Sequence, residues 1–182
     1  MRPESAIPSP SSIARLQEIT ARLSLLVDVD SLAAELEQVI VGIVDAQYIG
    51  LYLYDPEKLE FRLPWARGFS IAERAEAERT AMHRHPGRVI RERKVLNVPD
   101  TRVDDRTSSS KRRFTVLSRL WIPIESRGEC IGAVGMGSTV THAFSPEHVA
   151  LLQYVASLAG IGYRNIADTE ALKAAKRRAE RA

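Results

Sequence analysis

Apolar residues near the N-terminus recur at the spacing of an α-helix. The first stripe has intervals of three and four residues: Ile13, Leu16, Thr20, Leu23 and Val27. This spacing predicts an amphipathic helix that Ser11 or Ser12 would cap. A second helix is predicted over residues 31–46, with Asp30 as its N-cap and its apolar side chains on one face. Two helices therefore precede any strand.

The pattern changes to that of β-strands at Tyr48. Residues 48–54 are rich in aromatic and β-branched side chains, and residues 59–65 alternate apolar with polar or small ones. The Asp-Pro-Glu-Lys sequence at 55–58 predicts a tight turn between these two strands. A short third strand is predicted at 95–98.

A second hairpin is predicted from residues 120–125 and 130–137, joined by a turn at 126–129. Its later strand contains three glycines: Gly132, Gly135 and Gly137. Because glycine has no side chain, we expect another group to approach the backbone of this strand closely.

The segment between the hairpins combines a charged helical region with a long polar loop. Residues 70–94 predict two short helices, because the His-Pro-Gly sequence at 85–87 ends one and begins the next. Residues 100–119 follow neither period and predict a loop. Loops of this length in compact domains are more often functional than idle, so this loop is the first place to look for a ligand.

The C-terminal residues predict one long helix. Ser145, Pro146 and Glu147 would begin it with a hydroxyl cap, a proline at the first helical position and an acid facing the helix dipole. Continued to Ala182, the helix would be about 55 Å long. It carries an unbroken heptad seam: Leu158, Ile161, Asn165, Asp168, Leu172, Ala175, Ala179 and Ala182. We therefore expect it to project from the domain and to pair in a parallel dimer.

Composition and charge narrow the class of protein. A chain of 182 residues with 45% apolar and 27% charged residues fits one globular domain. No apolar run resembles a signal peptide or a membrane span, which predicts a cytoplasmic location. Residues 171–182 contain five cations and one acid, a charge of +4, so the rest of the chain contributes −1 to the net charge of +3. The rest of the chain lacks a strongly basic face, so we expect this domain to contact neither nucleic acid nor membrane.

The sequence offers few groups for catalysis. The lone Cys130 excludes an internal disulfide and a cysteine-based metal site. His83 and His85 have no third ligand nearby in the sequence, so no metal site is predicted. The chain shows no Ser/His/Asp set, no phosphate-binding glycine loop and no paired carboxylates at a defined spacing. We therefore expect no catalytic residues.

The order of the elements and five short motifs resemble the GAF domain, a sensory domain of bacterial signalling proteins such as sensor histidine kinases. The motifs are GRVI at 87–90 with KVLNVPD at 94–100, LWIPI at 120–124, ECIGAVGMG at 129–137, FSPE at 144–147 and LLQYVASLA at 151–159. Each motif is weak alone, but their common order makes a chance similarity improbable. The resemblance extends over about residues 16–166.

The resemblance implies an α+β fold, in which an antiparallel sheet has the terminal helices packed on one face and a pocket on the other. Helices and the long loop would roof that pocket. The chain would then consist of a disordered segment 1–11, the GAF domain 12–166 and a signalling helix 167–182 that begins a coiled-coil linker. Such domains usually precede histidine kinases, nucleotide cyclases or other output domains, to which we expect this one to be covalently linked.

The known cofactors of the family lack their anchor residues here. Of the Asn, Lys, Phe, Asp, Glu signature of cyclic-nucleotide-binding members, Phe144 and Glu147 match, whereas Ser138 stands in place of the lysine. Haem-binding members use a loop histidine and bilin-binding members a loop cysteine, and residues 101–119 contain neither. The free methionine sulfoxide reductases of the superfamily need several cysteines. The cofactor is therefore unknown.

Ten residues are candidates for the pocket that the resemblance implies. They are aromatic, sulfur-containing or charged residues of the strands, the helical region and the loop: Trp65, Phe69, Met82, His85, Asp100, Arg112, Arg113, Phe114, Trp121 and Met136. Rings and thioethers would line an apolar cavity, and the arginines would bind a carboxylate or phosphate at its mouth. The alternative for each is ordinary core packing or a solvated charged loop.

We interpret the chain as a non-catalytic sensory domain that binds a small molecule or a partner. It would transmit the signal through a dimeric helical linker to an output domain such as a histidine kinase. A homodimer is expected through five residues of the terminal helices: Leu16, Leu23, Leu158, Ile161 and Leu172. Two alternatives are a ligand-free dimerisation module and the effector domain of a transcription regulator, which would need an adjoining DNA-binding domain.

Overall fold

The structure, a computed structural model, describes residues 10–104 and 116–181. Its helices are α1 (Pro10–Ser24), α2 (Val29–Val41), α3 (Ile71–Thr80), α4 (His85–Glu92) and α5 (Pro146–Ala179). Its strands are β1 (Tyr48–Asp55), β2 (Glu60–Arg67), β3 (Leu96–Val98), β4 (Ser118–Ser126) and β5 (Glu129–Ser138). A short 3-10 helix, Ala81–His83, joins α3 to α4. Most of the segment 1–11, predicted to be disordered, lies outside the described residues, and its last two residues begin α1.

The five strands form one antiparallel sheet in the order β2-β1-β5-β4-β3. Both predicted hairpins are confirmed, since β1 pairs with β2 and β4 pairs with β5. The two hairpins join through β1 and β5, and β3 closes the far edge against β4. Together with the helices described next, this sheet confirms the predicted α+β class.

Helices α1, α2 and α5 pack on one face of the sheet, which we call the helix face. The strands contribute alternate residues to this core: Ile49, Leu51, Leu53, Leu120, Ile122, Ile124, Val134 and Met136. The helices contribute Ile19, Leu23, Leu32, Leu36, Ile40, Leu152, Val155 and Ile166, among others. Neighbouring side chains of a strand point to opposite faces, so the residues between these positions lie on the other side. The predicted packing of both terminal helices on one face is confirmed.

Helix α2 begins earlier than predicted, because Asp28 rather than Asp30 is its N-cap. The Asp28 carboxylate accepts hydrogen bonds from the Ser31 backbone N–H at 2.7 Å and from the Ser31 hydroxyl at 3.0 Å. Both hydrogen bonds lower the pKa of Asp28, and the one from the backbone has the larger effect. The predicted extension of this helix to residue 46 is also wrong, since α2 ends at Val41.

Helix α5 approaches the sheet closely at Gly160. A Cβ atom placed there would lie 2.1 Å from the backbone oxygen of Glu125 in β4. Two ion pairs also join the β4–β5 turn to α5: Arg127 to Asp168 at 2.8 Å, and Glu129 to Arg164 at 3.1 Å. The position of α5 is therefore tied to this end of the β4–β5 hairpin.

A β-bulge in β2 sends Trp65 to the helix face. Leu51 pairs with Trp65 and Leu53 pairs with Arg62, so β2 has one residue more than β1 between these positions. Phe61 therefore lies on the face opposite the helices, whereas Trp65 packs against the helix-face core. The unbroken alternation predicted for residues 59–65 is wrong at this bulge.

Side chains of α3 bind the backbone of the bulge. Arg74 donates hydrogen bonds to the carbonyl oxygens of Leu63, at 2.9 Å, and of Pro64. Glu78 accepts a hydrogen bond from the Leu63 backbone N–H at 2.7 Å. Ala77 is the one residue of α3 that is buried. Polar contacts to β2, more than apolar packing, therefore hold this helix against the sheet.

Helix α5 runs without a break for 34 residues, a length of about 51 Å. Every residue from Asp168 to Arg181 is exposed, including Leu172 at 72%. The C-terminal third of the helix thus offers its whole surface to solvent in the single chain. No helix in residues 10–104 and 116–181 is both long and apolar enough to cross a membrane.

Candidate functional site

Helices α3 and α4 and the 3-10 helix cover the other face of the sheet, which we call the distal face. They enclose a second core, the distal cluster, of ten buried residues: Tyr52, Phe61, Leu63, Ala77, Ala81, Val89, Leu96, Val98, Trp121 and Ala133. A single layer of strands separates this cluster from the helix-face core. The pocket that the family resemblance implies would lie within it.

Trp121 of β4 is 8% exposed and makes ring contacts inside the distal cluster. Its ring stacks on that of His85, with centroids 5.9 Å apart and planes 14° from parallel. Tyr52 contacts it at a centroid distance of 5.1 Å. The indole Nε1 is buried, and no described residue accepts a hydrogen bond from it. A buried donor without an acceptor costs about 1–3 kcal/mol, so this N–H would favour any acceptor that reached it.

The glycines of β5 create the space that Trp121 occupies. Gly135 pairs directly with Trp121, and a Cβ atom on Gly135 would lie 2.4 Å from the indole ring. The expected close approach to this strand is therefore made by a side chain of the neighbouring strand. A Cβ atom on Gly132 would similarly lie 2.3 Å from the backbone oxygen of Tyr52.

The position of His85 follows from the start of α4. Pro86 occupies the first turn of the helix, where a missing N–H is tolerated. A Cβ atom on Gly87 would lie 1.9 Å from the backbone oxygen of Met82, so glycine permits α4 to begin directly against the preceding 3-10 helix. The predicted break at residues 85–87 is confirmed, and it brings the His85 ring over Trp121.

Two small cavities adjoin Trp121. One has a volume of about 20 Å³ and is bordered by Tyr48, Phe69 and Arg119 as well. The other has a volume of about 10 Å³ and also touches Arg84 and Arg119. A water molecule needs about 10–15 Å³ of such space. In this conformation each cavity therefore has room for about one water molecule and for no larger ligand.

The structure brings four of the predicted pocket residues together. Phe69, Met82 and His85 join Trp121 in or against the distal cluster. Trp65 lies elsewhere, since the bulge places it on the helix face. Met136 borders the larger of the two cavities, although its register in β5 directs its side chain into the helix-face core.

The remaining pocket candidates lie in or beside the long loop. Arg112, Arg113 and Phe114 lie outside the described residues, so their role stays a prediction. Asp100 follows β3 and is bound by Arg102 through Nε at 2.9 Å and Nη2 at 2.6 Å. The Asp100 carboxylate also accepts a hydrogen bond from the Arg102 backbone N–H at 2.9 Å. Asp100 therefore organises its own loop.

These contacts predict a very acidic carboxyl group. Hydrogen bonds from Arg102 lower the pKa of Asp100 from 3.8 to about 2, and those from the side chain have a larger effect than the one from the backbone. Because the folded-state pKa is depressed, this contact stabilises the loop above pH 3.8 and is lost as the pH falls toward 2. Carbon-13 NMR of the side-chain carboxyl groups should show Asp100 titrating near pH 2.

The Arg102→Gln variant should move the Asp100 midpoint back toward 3.8, because both guanidinium bonds are lost. Arg79→Gln is the matched control, since Arg79 is an exposed arginine of α3 whose partner is Glu76. An Asp100 midpoint that does not respond to Arg102→Gln would contradict the assignment.

The residues predicted for the dimer differ in exposure and fall into three groups. Leu23 is buried in the helix-face core, so its assignment to a dimer surface is wrong for this conformation. Leu158 is half-buried and packs against the same core, and Leu16 is half-buried in α1. Ile161 is 55% exposed and Leu172 is exposed, so their side chains are available to a partner.

Sequence reasoning missed three residues of the site: Tyr52, Arg84 and Arg119. A signal existed for Tyr52, because the period of two in residues 48–54 separates its tyrosines from the apolar residues between them. Arg119 likewise alternates with Leu120 and precedes Trp121 by two residues, which places both on one face. Arg84 had no such signal, because its position depends on how α4 meets the sheet.

Cys130 lies at the start of β5, away from the distal cluster. It is half-buried, and burial raises the pKa of its thiol above the usual value. A raised pKa leaves little thiolate at neutral pH, and the thiolate is the reactive form. Within the described residues, no group of three or more His, Cys, Asp or Glu side chains is arranged to hold a metal ion.

Three solved structures show what the fold is similar to. The GAF domain of a phosphoenolpyruvate-protein phosphotransferase from Coxiella burnetii has a TM-score of 0.72 at 18% identity, over 87% of this chain and 96% of that one. The free methionine-R-sulfoxide reductase of Neisseria meningitidis has a TM-score of 0.67 at 20% identity, over 90% and 96%. A domain from Sinorhizobium meliloti 1021, described as part of a two-component sensor histidine kinase, has a TM-score of 0.61 at 14% identity, over 80% and 97%. These identities show a shared fold alone.

The sequence identifies the family of the chain more directly than the shared fold does. No curated protein matches it. The family model of the GAF domain, however, matches residues 13–163, which is most of the chain. This range includes α2, the whole sheet and the distal cluster, together with most of α1 and the first half of α5. The chain therefore belongs to the GAF domain family.

Proposed function

We propose that this GAF domain is a sensory module that binds a small planar molecule beside Trp121 and changes the position of α5 in response. The observation that carries the proposal is the buried indole N–H of Trp121, which has no acceptor among the described residues. A ligand that supplies an acceptor would remove the cost of this unpaired donor. An acceptor on the ligand would therefore stabilise the occupied state of the site.

The surroundings of Trp121 indicate which chemistry the ligand would have. The rings of Tyr52, His85 and Phe69 favour a flat apolar or aromatic body. Arg84 and Arg119 border the cavities and favour a carboxylate or phosphate, to which guanidinium groups bind in a bidentate manner. We expect an aromatic acid or a molecule of similar chemistry.

The limited space makes binding depend on a change of conformation. Cavities of about 20 and 10 Å³ are too small for a molecule of several atoms. Binding would have to displace His85 and the start of α4, which lie over Trp121. A ligand that selects such a displaced state shifts the population between two arrangements, and this is the requirement for a sensor.

A route from the site to the output helix exists within one strand. Trp121 points to the distal face, whereas Ile122 and Ile124 of the same strand point to the helix face and its core. Farther along β4, the backbone oxygen of Glu125 touches α5 at Gly160. A shift of β4 would therefore move α5 directly. A coupling free energy of about 1–3 kcal/mol between the site and α5 would suffice to change an output several-fold or more.

The exposed end of α5 is the part that we expect to carry the signal out of the domain. Ile161 and Leu172 lie on the heptad seam and are exposed in the single chain, as is Tyr154 one heptad before Ile161. We propose that two copies pair along this seam and that the paired helices continue into an output domain, such as a histidine kinase. The fold shared with the Sinorhizobium meliloti domain supports this class of output.

We propose no catalytic role for the domain. The fold is also that of a free methionine-R-sulfoxide reductase. This chain has a single cysteine, and burial raises the pKa of its thiol. One poorly ionised thiol without a second cysteine cannot complete an oxidation and resolution cycle alone.

Tryptophan fluorescence tests the proposed site, because the chain has two tryptophans and one of them is Trp121. In the Trp65→Phe variant, the remaining emission reports on Trp121 alone. Titration with benzoate and nicotinate, after a thermal-shift screen of aromatic acids, should give a saturable change of emission. Trp121→Phe keeps an aromatic ring but removes the N–H, and we expect it to weaken binding about fivefold, as measured by calorimetry.

The outcomes separate the sensory proposal from its main rival. Saturable binding that Trp65→Phe leaves unchanged and Trp121→Phe weakens supports a ligand site on the distal face. If aromatic acids neither shift the melting temperature nor change the Trp121 emission, the ligand proposal is wrong. The small cavities would then favour a ligand-free dimerisation module, for which an intact dimer without any small-molecule response is the expected result.

A further inference from the structure

Strands β1 and β5 stop pairing before either of them ends. Their register pairs Tyr48 with Gly137 and continues in step to Leu53 with Gly132. Both strands run further, β1 to Asp55 and β5 back to Glu129, without joining the ladder. The central pair of the sheet therefore separates at this end.

A groove of about 450 Å³ opens where the strands separate. Its apolar wall is formed by Tyr54, Ile90, Ile131 and Tyr163. These residues come from β1, α4, β5 and α5, so the groove reaches from the helices of the distal face to α5. Its volume falls in the range of small-molecule sites, about 300–1,000 Å³, unlike the two cavities beside Trp121.

Two arginines and one glutamate line this groove. Arg93 ends α4 in a left-handed conformation, with φ 52°, and donates a hydrogen bond to the backbone oxygen of Gly128 at 2.8 Å. Arg164 of α5 donates through Nη2 to the carboxylate of Glu129 at 3.1 Å. The Arg164 Nε is buried, and no described residue accepts a hydrogen bond from it.

The charges at the groove do not cancel. Arg93 and Arg164 contribute two positive charges and Glu129 one negative charge, and no other lining residue is charged at neutral pH. A single negative charge on a ligand would complete the balance, which favours a carboxylate over a phosphate dianion. The buried Nε–H of Arg164 would also gain an acceptor, and a charge-assisted hydrogen bond is about twice as strong as a neutral one.

We propose that this groove is a second binding site, for a small organic carboxylate with an apolar body. The carboxylate lies between Arg93 and Arg164, and the apolar body lies against Tyr54 and Ile131. The groove shares no lining residue with the cavities beside Trp121, so this site is independent of the one proposed above. Because Arg164 belongs to α5, occupation of the groove acts on the output helix directly.

Cys130 supplies a reporter, since it is the one cysteine of the chain and lines the groove. Its alkylation by iodoacetamide, a neutral reagent, is followed by mass spectrometry in the presence of acetate, hexanoate and 3-phenylpropanoate. We expect hexanoate and 3-phenylpropanoate to slow the alkylation saturably and acetate to have little effect. The neutral analogue 3-phenylpropanamide should not protect the thiol, because it lacks the charge that the arginines bind.

Variants identify the residues that bind the carboxylate. Arg164→Gln should weaken protection by 3-phenylpropanoate about tenfold or more, as expected for the loss of a hydrogen bond to a charged group. Arg164→Lys keeps the charge without the planar fork and should give an intermediate affinity. Arg67→Gln is the matched control, since Arg67 is an exposed arginine of β2, paired with Glu37, that does not line the groove. Circular dichroism confirms that each variant is folded.

Several results would overturn the proposal. Absence of protection by hexanoate and 3-phenylpropanoate at millimolar concentration would do so, as would equal protection by the amide. Unchanged protection in folded Arg164→Gln would remove the arginine from the site. The Trp121→Phe variant separates the two proposals: it should leave protection of Cys130 intact, and a loss of protection would show that the groove does not act as a separate site.

Discussion

Replacing Gly160 with alanine is expected to destabilise the protein by about 2 kcal/mol, although alanine is the better helix former. The helix propensity of α5 would improve by about 1 kcal/mol. The new Cβ atom, however, would lie 2.1 Å from the backbone oxygen of Glu125, and neither backbone can move without separating α5 from β4. Overpacking of this kind costs about 1–3 kcal/mol, with a backbone contact at the upper end or beyond.

Gly162→Ala is the control for this prediction, two residues away in the same helix. Its Cβ atom would lie 3.4 Å from the nearest heavy atom, the backbone oxygen of Leu23, which is an ordinary contact. The helix propensity then decides the sign, and the variant should be neutral or more stable by up to about 1 kcal/mol. Urea unfolding followed by circular dichroism measures both. A Gly160→Ala protein as stable as Gly162→Ala would mean that α5 does not touch β4 as described.

Removing the side chain of Leu152 should cost about 3 kcal/mol of unfolding free energy. Leu152 is 1% exposed and lies in the helix-face core between α5 and the sheet. Leu→Ala at such a site loses the burial of the side chain and leaves a cavity, and the cost ranges over about 2–5 kcal/mol. Urea unfolding of Leu152→Ala, extrapolated to water, measures the loss.

Leu172→Ala makes the same chemical change on the same helix and serves as the comparison. Leu172 is 72% exposed, so the stability of the single chain should change by less than about 0.5 kcal/mol. If two copies pair along the heptad seam, as proposed, the variant should instead raise the dissociation constant of the dimer, as measured by sedimentation over a range of concentrations. An unaltered dimer would remove Leu172 from the interface.

The sequence was a good guide where a local signal determined the structure. Period-two segments on each side of compact turns gave both hairpins, and the Ser-Pro-Glu sequence at 145–147 gave the start of α5. The His-Pro-Gly sequence at 85–87 gave the start of α4. In each case neighbouring residues supply the physical cause, whether a cap, a proline or a turn.

Prediction from the sequence failed where two arrangements differed by only one or two residues. Asp28 and Asp30 are both able to cap a helix, and which of them does so depends on where the chain leaves α1. Trp65 fits an alternating pattern with Phe61, but the bulge between them reverses its direction. A bulge depends on how two strands match in length and twist, so it cannot be predicted from the residues of β2 alone.

The candidate site was predictable in part for the same reason. Aromatic and histidine side chains were expected to meet, and Trp121 and His85 do so. The groove at the end of β1 and β5 had no signal, because it arises where two strands distant in sequence stop pairing. Its arginines come from two helices on opposite sides of the sheet, a combination that only the folded chain defines.

The way in which α3 is attached has a consequence for how the domain unfolds in parts. Its first residue, Ile71, is 92% exposed, and its main ties to the sheet are the hydrogen bonds of Arg74 and Glu78 to the bulge. Such a helix can detach while the helix-face core stays intact, since few buried contacts are lost with it. Amide protons of α3 should therefore exchange with deuterium well before those of β5.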